Sequence, residues 1–298
     1  MTLLLALIFA LQTKPAPAPP PAYVPQRVYD AHQQAFTDFE RMVADLTKAD
    51  VIFVGEQHDD PNTHRLEVAI LEGLKRRGVS PTLSLEMFER DVQAALDAYR
   101  AGKTSEDEFL KTSKPWPRYA TDYRALVEMA REDGWPIVAS NVPRRHASAV
   151  AKAGRTALDE LSAADRENVA RDLQCPQDPY FDRFVETMNS HPAPGSEKQS
   201  PEERRAANER YYVSQCLKDE TMAEAIASAL DSSKGPVVHV NGAFHSDFGQ
   251  GTAERVRRRL EGRRIAIVSI LPVKDIDQAA PSAEDLRRAD YLVYTVGK

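Results

Sequence analysis

Val51-Ile52-Phe53-Val54-Gly55-Glu56-Gln57-His58 decides the reading of this chain, because Val237-Val238-His239-Val240-Asn241-Gly242-Ala243-Phe244-His245 repeats its pattern nearly 190 residues later. Each begins with a short β-branched apolar run of the kind found in a buried parallel strand. Each run reaches a glycine, and three residues on stands a histidine. A strand that ends in this way delivers its histidine past its carboxyl edge. In an open parallel α/β sheet that edge is where ligands and catalytic groups gather. Two such histidines can therefore face one crevice.

Outward from these two runs, strands and helices alternate. A helical apolar period covers 36–48, ahead of strand 51–54. Asp60-Pro61 reads as an N-cap followed by proline at the first helical position, and Leu66, Ile70, Leu71 and Leu74 give that helix its apolar face. Strand 82–85 delivers Glu86, and a helix runs from Arg90 to about 101. Another helix near 121–132 precedes strand 136–140, which delivers Asn141 to Arg144 and a helix near Arg145. After strand 236–240 come helix 251–261, strand 264–270 and a last strand at 290–296. The expected fold class is α/β, a three-layer α/β/α arrangement on a mainly parallel sheet. Residues 157–232 hold no strand candidate. They read as helices broken by a loop at 190–196, with one long helix over 201–231, and are expected to form an inserted α-helical cap. The expected organisation is a signal-like segment and proline-rich linker over 1–25, then a single domain over 26–298.

The chain has 298 residues, enough for a large core, and a net charge of −6 with the signs well mixed. No basic stripe points to nucleic acid. Arg255, Arg257, Arg258, Arg259, Arg263 and Arg264 cluster, and read as the solvated end of one helix. Residues 3–11 form an apolar block too short to span a bilayer but long enough for the core of a signal peptide. Pro15 to Pro25 forms a stiff spacer. Export to a periplasmic or envelope location is the expectation, although no basic residue precedes the block and no cysteine there can carry a lipid. The two cysteines, Cys175 and Cys216, are either a disulfide, if the protein is exported, or two buried thiols.

Glu56, His58, Glu86, Asn141, Arg144 and His245 are polar residues that all follow apolar strands. Neutral imidazole is a metal ligand or a general base, and a carboxylate is a hard ligand or its acid/base partner. His58, His245 and Glu86 are thus candidates to hold a divalent metal ion with an open position. Without metal, Glu56, His58, Glu86, Arg144 and His245 make a catalytic set in which a His–Glu pair activates water and Arg144 holds an anion. His239, inside a strand, reads as core, and His64, on a helix, as surface. Trp116, Tyr119 and Tyr123 form either a pocket wall or a pinned loop. Tyr180, Phe181, Phe184, Met188, Tyr211 and Tyr212 read as cap core, and also as groups that line a flat apolar cofactor. Tyrosine is a possible axial haem ligand.

The runs VIFVGEQHDDPNTH (51–64), LSLEMFERDVQ (83–93), SKPWPRYATDYRALVEMAREDGWPIVASNVPRR (113–145), KDETMAEAI (218–226) and HVNGAFHSDFG (239–249) together resemble the ChaN-like haem-binding lipoprotein family. That family sits in a wider group with the Tiki metalloproteases and the erythromycin esterases. The resemblance spans roughly residues 35–272. It implies a three-layer α/β fold with a helical cap, non-covalent haem as cofactor and an exported role in haem or iron handling. Glu56, His58, Glu86, Arg144 and His245 match the shared polar site, and Tyr180, Tyr211 or Tyr212 is the expected iron ligand. Outer-membrane haem or iron uptake machinery and a second copy of the chain are the partners it suggests. A hydrolase of esters or peptides is the alternative that the visible constellation itself supports.

Overall fold

β-branched and aromatic residues alternate across Val51–Glu56, sending Val51 and Phe53 to one side of a sheet and Ile52 and Val54 to the other. A computed structural model describes residues 24–190 and 200–297. The apolar block at 3–11, most of the proline spacer and most of the 190–196 loop lie outside these residues. In chain order the elements are β1 (Gln26–Asp30), β2 (Ala35–Thr37), α1 (Phe39–Leu46), β3 (Val51–Glu56), α2 (Pro61–Arg76), β4 (Thr82–Glu89), α3 (Gln93–Arg100), α4 (Glu106–Ser113) and α5 (Arg124–Glu132). There follow β5 (Ile137–Asn141), α6 (Arg144–Ala153), α7 (Ala163–Arg166), α8 (Pro179–Ser190), α9 (Pro201–Ser232), β6 (Val237–Gly242), α10 (Gly251–Arg259), β7 (Ile265–Val273) and β8 (Tyr291–Val296).

The sheet has eight strands in the order β2-β1-β8-β7-β3-β6-β4-β5. The six from β8 to β5 run parallel, while β1 pairs antiparallel with both β8 and β2. The fold is thus three-layer α/β on a mainly parallel sheet. Sequence periodicity missed the β1–β2 edge, and a helix over 36–48 was expected there. Phe36 in fact lies on β2, half-exposed, against Arg27, and only from Phe39 does the chain become helical. The short helix α4 was missed as well, because it buries little beyond Phe109 and Ser113.

One face of the sheet carries α1, α2, α3, α4 and α5. Met42, Val43, Leu46, Leu66, Ile70, Leu71, Leu74 and Leu126 pack there on Ile52, Val54, Leu83, Leu85, Val238 and Val240. The other face carries α10 and the distal part of α9, with Ala223, Ile226, Ala229, Ala253 and Val256 on Val51, Phe53, Val237 and Ile267. A separate cluster joins α6, α8 and the proximal part of α9 through Val142, Val150, Leu173, Tyr180, Phe184, Tyr212 and Leu217. A single long helix therefore serves two cores. Ser200 and Glu203 cap its start reciprocally, with Pro201 at the first helical position. Cys175 and Cys216 form a disulfide inside the second cluster, with Cα atoms 5.5 Å apart. Among the described residues no helix is long and apolar enough to cross a membrane.

Candidate functional site

β3 and β6 are neighbours in register, with Glu56 opposite Gly242, so their carboxyl ends place His58 and His245 side by side. The two glycines are needed for space. A Cβ on Gly55 would lie 3.1 Å from the Ala243 backbone, and one on Gly242 would lie 2.6 Å from His58 Nε2. Both keep ordinary backbone angles and give up only their side chains. Glu86 comes from β4, where the register against β5 shifts between Leu85 and Glu89. Such irregularities re-aim side chains beside functional sites.

Together these ends line a crevice of about 610 Å³ that includes His58, Glu86, Asn141, Arg144, Tyr211 and His245, within the range of small-molecule sites. Glu56 stands behind it, fully buried, its Oε1 bonded to His58 Nδ1 and accepting from the Tyr123 hydroxyl at 2.9 Å. The five residues expected at the strand ends are thus brought to one place. Trp116 forms one wall, edge-on to His58 with ring centroids 5.2 Å apart. Tyr119 and Tyr123 are buried in the core. The aromatic segment therefore does both jobs weighed for it.

Asp219 on α9 holds His245. The His245 Nδ1–H donates to Asp219 Oδ1 at 2.6 Å, and its Nε2 is 3.4 Å from Glu86 Oε1. The Thr252 hydroxyl donates to Asp219 Oδ1 and the Tyr180 hydroxyl to Oδ2, each at 2.8 Å. Glu86 Oε2 accepts the Gly242 N–H at 2.7 Å. Burial works against charge on His245, but the carboxylates of Glu86 and Asp219 outweigh it and push the imidazole up to about 10. Burial likewise opposes ionisation of Glu86, yet the His245 charge brings it down to about 2. For His58, burial is outweighed by its bond to Glu56 and the charge of Glu86, and its affinity for a proton is raised. Both imidazoles are therefore biased towards the cationic form. A cationic ring donates hydrogen bonds and attracts anions.

Of the residues expected to hold a metal, His245 and Glu86 are paired with each other, and His58 turns its Nδ1 to Glu56. The expected place of His64 is corrected. It is 4 % exposed, with Nδ1 3.2 Å from Glu56 Oε2, rather than on the surface. His239 is core as expected, fully buried beside Ser84 Oγ at 2.9 Å.

Of the three cap tyrosines, Tyr180 and Tyr212 are buried. The Tyr180 hydroxyl goes to Asp219, and that of Tyr212 donates to Pro176 O at 3.0 Å. Tyr211 alone is exposed, at the rim of the crevice. Phe184 and Met188 face it with apolar surface, and the cations Arg144 and Lys218 line the same opening. Among the described residues, the side chains of Tyr211, Arg144 and Lys218 have no hydrogen-bond or ion-pair partner. Asp219, Gln215 and Lys218 escaped sequence reading because they sit on α9, far from any strand end; only the place of Lys218 and Asp219 in the KDETMAEAI run hinted at those two.

The profile of the family described as "Haem-binding uptake, Tiki superfamily, ChaN" matches residues 42–256. Among solved structures, the chain is similar to "Cofacial heme binding to ChaN of Campylobacter jejuni", with a TM-score of 0.69 and 20 % identity over 91 % of this chain and 97 % of that one. It is similar in fold to a succinoglycan biosynthesis protein as well, with a TM-score of 0.51 and 10 % identity over 87 % of this chain and 90 % of the other. No curated protein matches the chain.

Proposed function

Because this chain belongs to the haem-binding uptake family of ChaN in the Tiki superfamily, we propose that its strand-end crevice binds haem and that the protein carries or hands on haem rather than turning over a substrate. The observation that carries this reading is Tyr211, the one exposed member of the three cap tyrosines. Tyr211 stands unbonded at the rim of a crevice that Trp116, Phe184 and Met188 also line. Such surfaces suit a flat apolar ring, and a phenolic oxygen is a known type of axial ligand. Arg144 and Lys218 suit its carboxylates, and the cationic bias of His58 and His245 adds to that attraction. When bound, haem would supply iron-centred chemistry. The chain's own residues would grip the ring, pair with its acidic groups and shield one face from water.

The segment 157–232 acts in this reading as the cap, with α8 and the proximal part of α9 closing the opening. Export to an oxidising compartment is part of the same proposal and is supported by the Cys175–Cys216 bond, since such bonds persist there. Exchange with envelope uptake machinery, and pairing of two copies over the exposed rim, would follow from a carrier role.

The test is a hemin titration followed by absorption. A Soret shift that saturates at a defined ratio is expected. Tyr211→Phe should weaken it, whereas Tyr180→Phe, whose hydroxyl is buried against Asp219, should leave it largely intact. A chain that gives no saturable shift, yet hydrolyses an ester or peptide in a manner lost in Glu56→Gln and His58→Ala, would reverse the reading in favour of a hydrolase.

A further inference from the structure

Behind the crevice lies a second polar cluster that haem cannot reach. Glu56 Oε2, His64 and Glu67 are all buried, and donor atoms from the three lie within 4.8 Å of one another. His64 Nδ1 is 3.2 Å from Glu56 Oε2 and 3.4 Å from Glu67 Oε2. The other side of the ring meets acceptors only, the His58 carbonyl oxygen at 3.2 Å and Asp122 Oδ2 at 3.5 Å. A neutral imidazole therefore carries its proton on Nε2, given to the His58 carbonyl. That leaves the Nδ1 lone pair aimed at two carboxylates. Three acceptors facing one another in a dry interior repel unless something positive sits among them.

We infer that Glu56, His64 and Glu67 hold a divalent first-row cation of the zinc type. Ligands on a tetrahedral ion with bonds of about 2.0 Å stand about 3.3 Å apart, which is the spacing of His64 Nδ1 from each of the two carboxylates. One borderline imidazole with two hard carboxylates is a ligand set that suits such an ion. A second observation points the same way. Glu67 is 1 % exposed, and its Oε1 has no hydrogen-bond partner, nor has Glu56 Oε2. Buried carboxylate oxygens are ordinarily bonded. The Nε2–H to carbonyl contact is also the support that metal-bound histidines ordinarily have, fixing tautomer and ring plane. The ion would be structural, closed off from solvent. Through Glu56 it would fix the carboxylate that orients His58, so Glu67 and His64 would act on the crevice as positioning residues. The inference does not depend on haem binding.

Metal analysis of purified, haem-free protein tests it. About one equivalent of zinc or a neighbouring divalent ion is expected, retained in His245→Ala and lost in Glu67→Gln and His64→Ala. After chelator treatment, the unmutated chain should take up one equivalent of Co²⁺ and show the visible bands of a tetrahedral site, a readout that needs no variant to fold. Added Zn²⁺ should raise the Tm of the stripped protein and not that of Glu67→Gln. No co-purifying metal together with no saturable Co²⁺ uptake would overturn the inference, leaving a cluster held by protons shared between Glu67 and Glu56. Uptake unaffected by both Glu67→Gln and His64→Ala would overturn it too.

Discussion

Gly242 has no room for a side chain. An added Cβ would stand 2.6 Å from His58 Nε2 and 2.8 Å from its Cε1. The ring cannot simply swing away, because Glu56 holds Nδ1 and Trp116 packs on its face. Gly242→Ala is expected to cost about 1–3 kcal/mol, seen as a lower denaturant midpoint. Adding His58→Ala should restore part of the loss in a double-mutant cycle; strictly additive effects would dispose of the idea. His245 and Glu86 make a pH prediction. The His245 contribution to stability is complete below its ordinary value of 6.5 and fades as pH rises towards about 10. That of Glu86 is complete above its ordinary value of 4.5 and fades as pH falls towards about 2. One ion pair is seen here from its two ends. Chemical denaturation across pH should show a shoulder between about 4.5 and 6.5, and His245→Asn should flatten the alkaline decline; an unchanged profile would discard the pair as its source. At this scale the sequence displayed the strand-end residues but not their depth. Arg255 was expected on a solvated helix end, yet it is 3 % exposed, and Glu220 gathers it with Arg258 and Arg259. Charge composition alone cannot say which arginine turns inward.

α9 is buried on nearly all sides from Cys216 to Ile226, because its two halves press on different cores. A helix in that position shows no single apolar stripe. Its existence was plain from length, capping and the lack of strand residues, while the fact that it also covers the sheet was not. The parallel strands were legible for the opposite reason: buried on both faces, they are written as unbroken apolar runs. The edge hairpin β1–β2 was hidden because its three-residue second strand is half-exposed and overlaps a helical period. The disulfide pins the proximal part of α9 to the segment before α8. Replacing Cys175 and Cys216 with serine closes no loop in the unfolded chain, and by the chain-entropy account costs roughly 4 kcal/mol. Hydrogen exchange should then speed up in α8 and the proximal part of α9 and remain slow in β3 and β6. Equal acceleration everywhere would mean that this region does not open separately.

For the molecule as a whole, the net charge is −6, yet the mouth of the crevice holds Arg144 and Lys218 unpaired. In the proposed reading these two cations would meet the acidic groups of the ligand on a body of net negative charge. Lys218→Ala and Arg144→Ala should each weaken hemin by up to about fivefold, as exposed charge pairs do, and the deficit should shrink in high salt. Affinity indifferent to both substitutions and to salt would place the acidic groups elsewhere. The fold and the converging strand ends could be read from two matched sequence runs. The depth behind them could not, since His64 and Glu67 sit on a helix whose inward side only the folded sheet defines. One carboxylate joins the two depths: Glu56 offers Oε1 to His58 and Tyr123 and Oε2 to His64. The group is planar and rigid, so turning it for one set of neighbours turns it for the other. Thermodynamic linkage then requires reciprocity: whatever factor an event at the inner oxygen imposes on binding at the outer one, the outer event returns to the inner in equal measure.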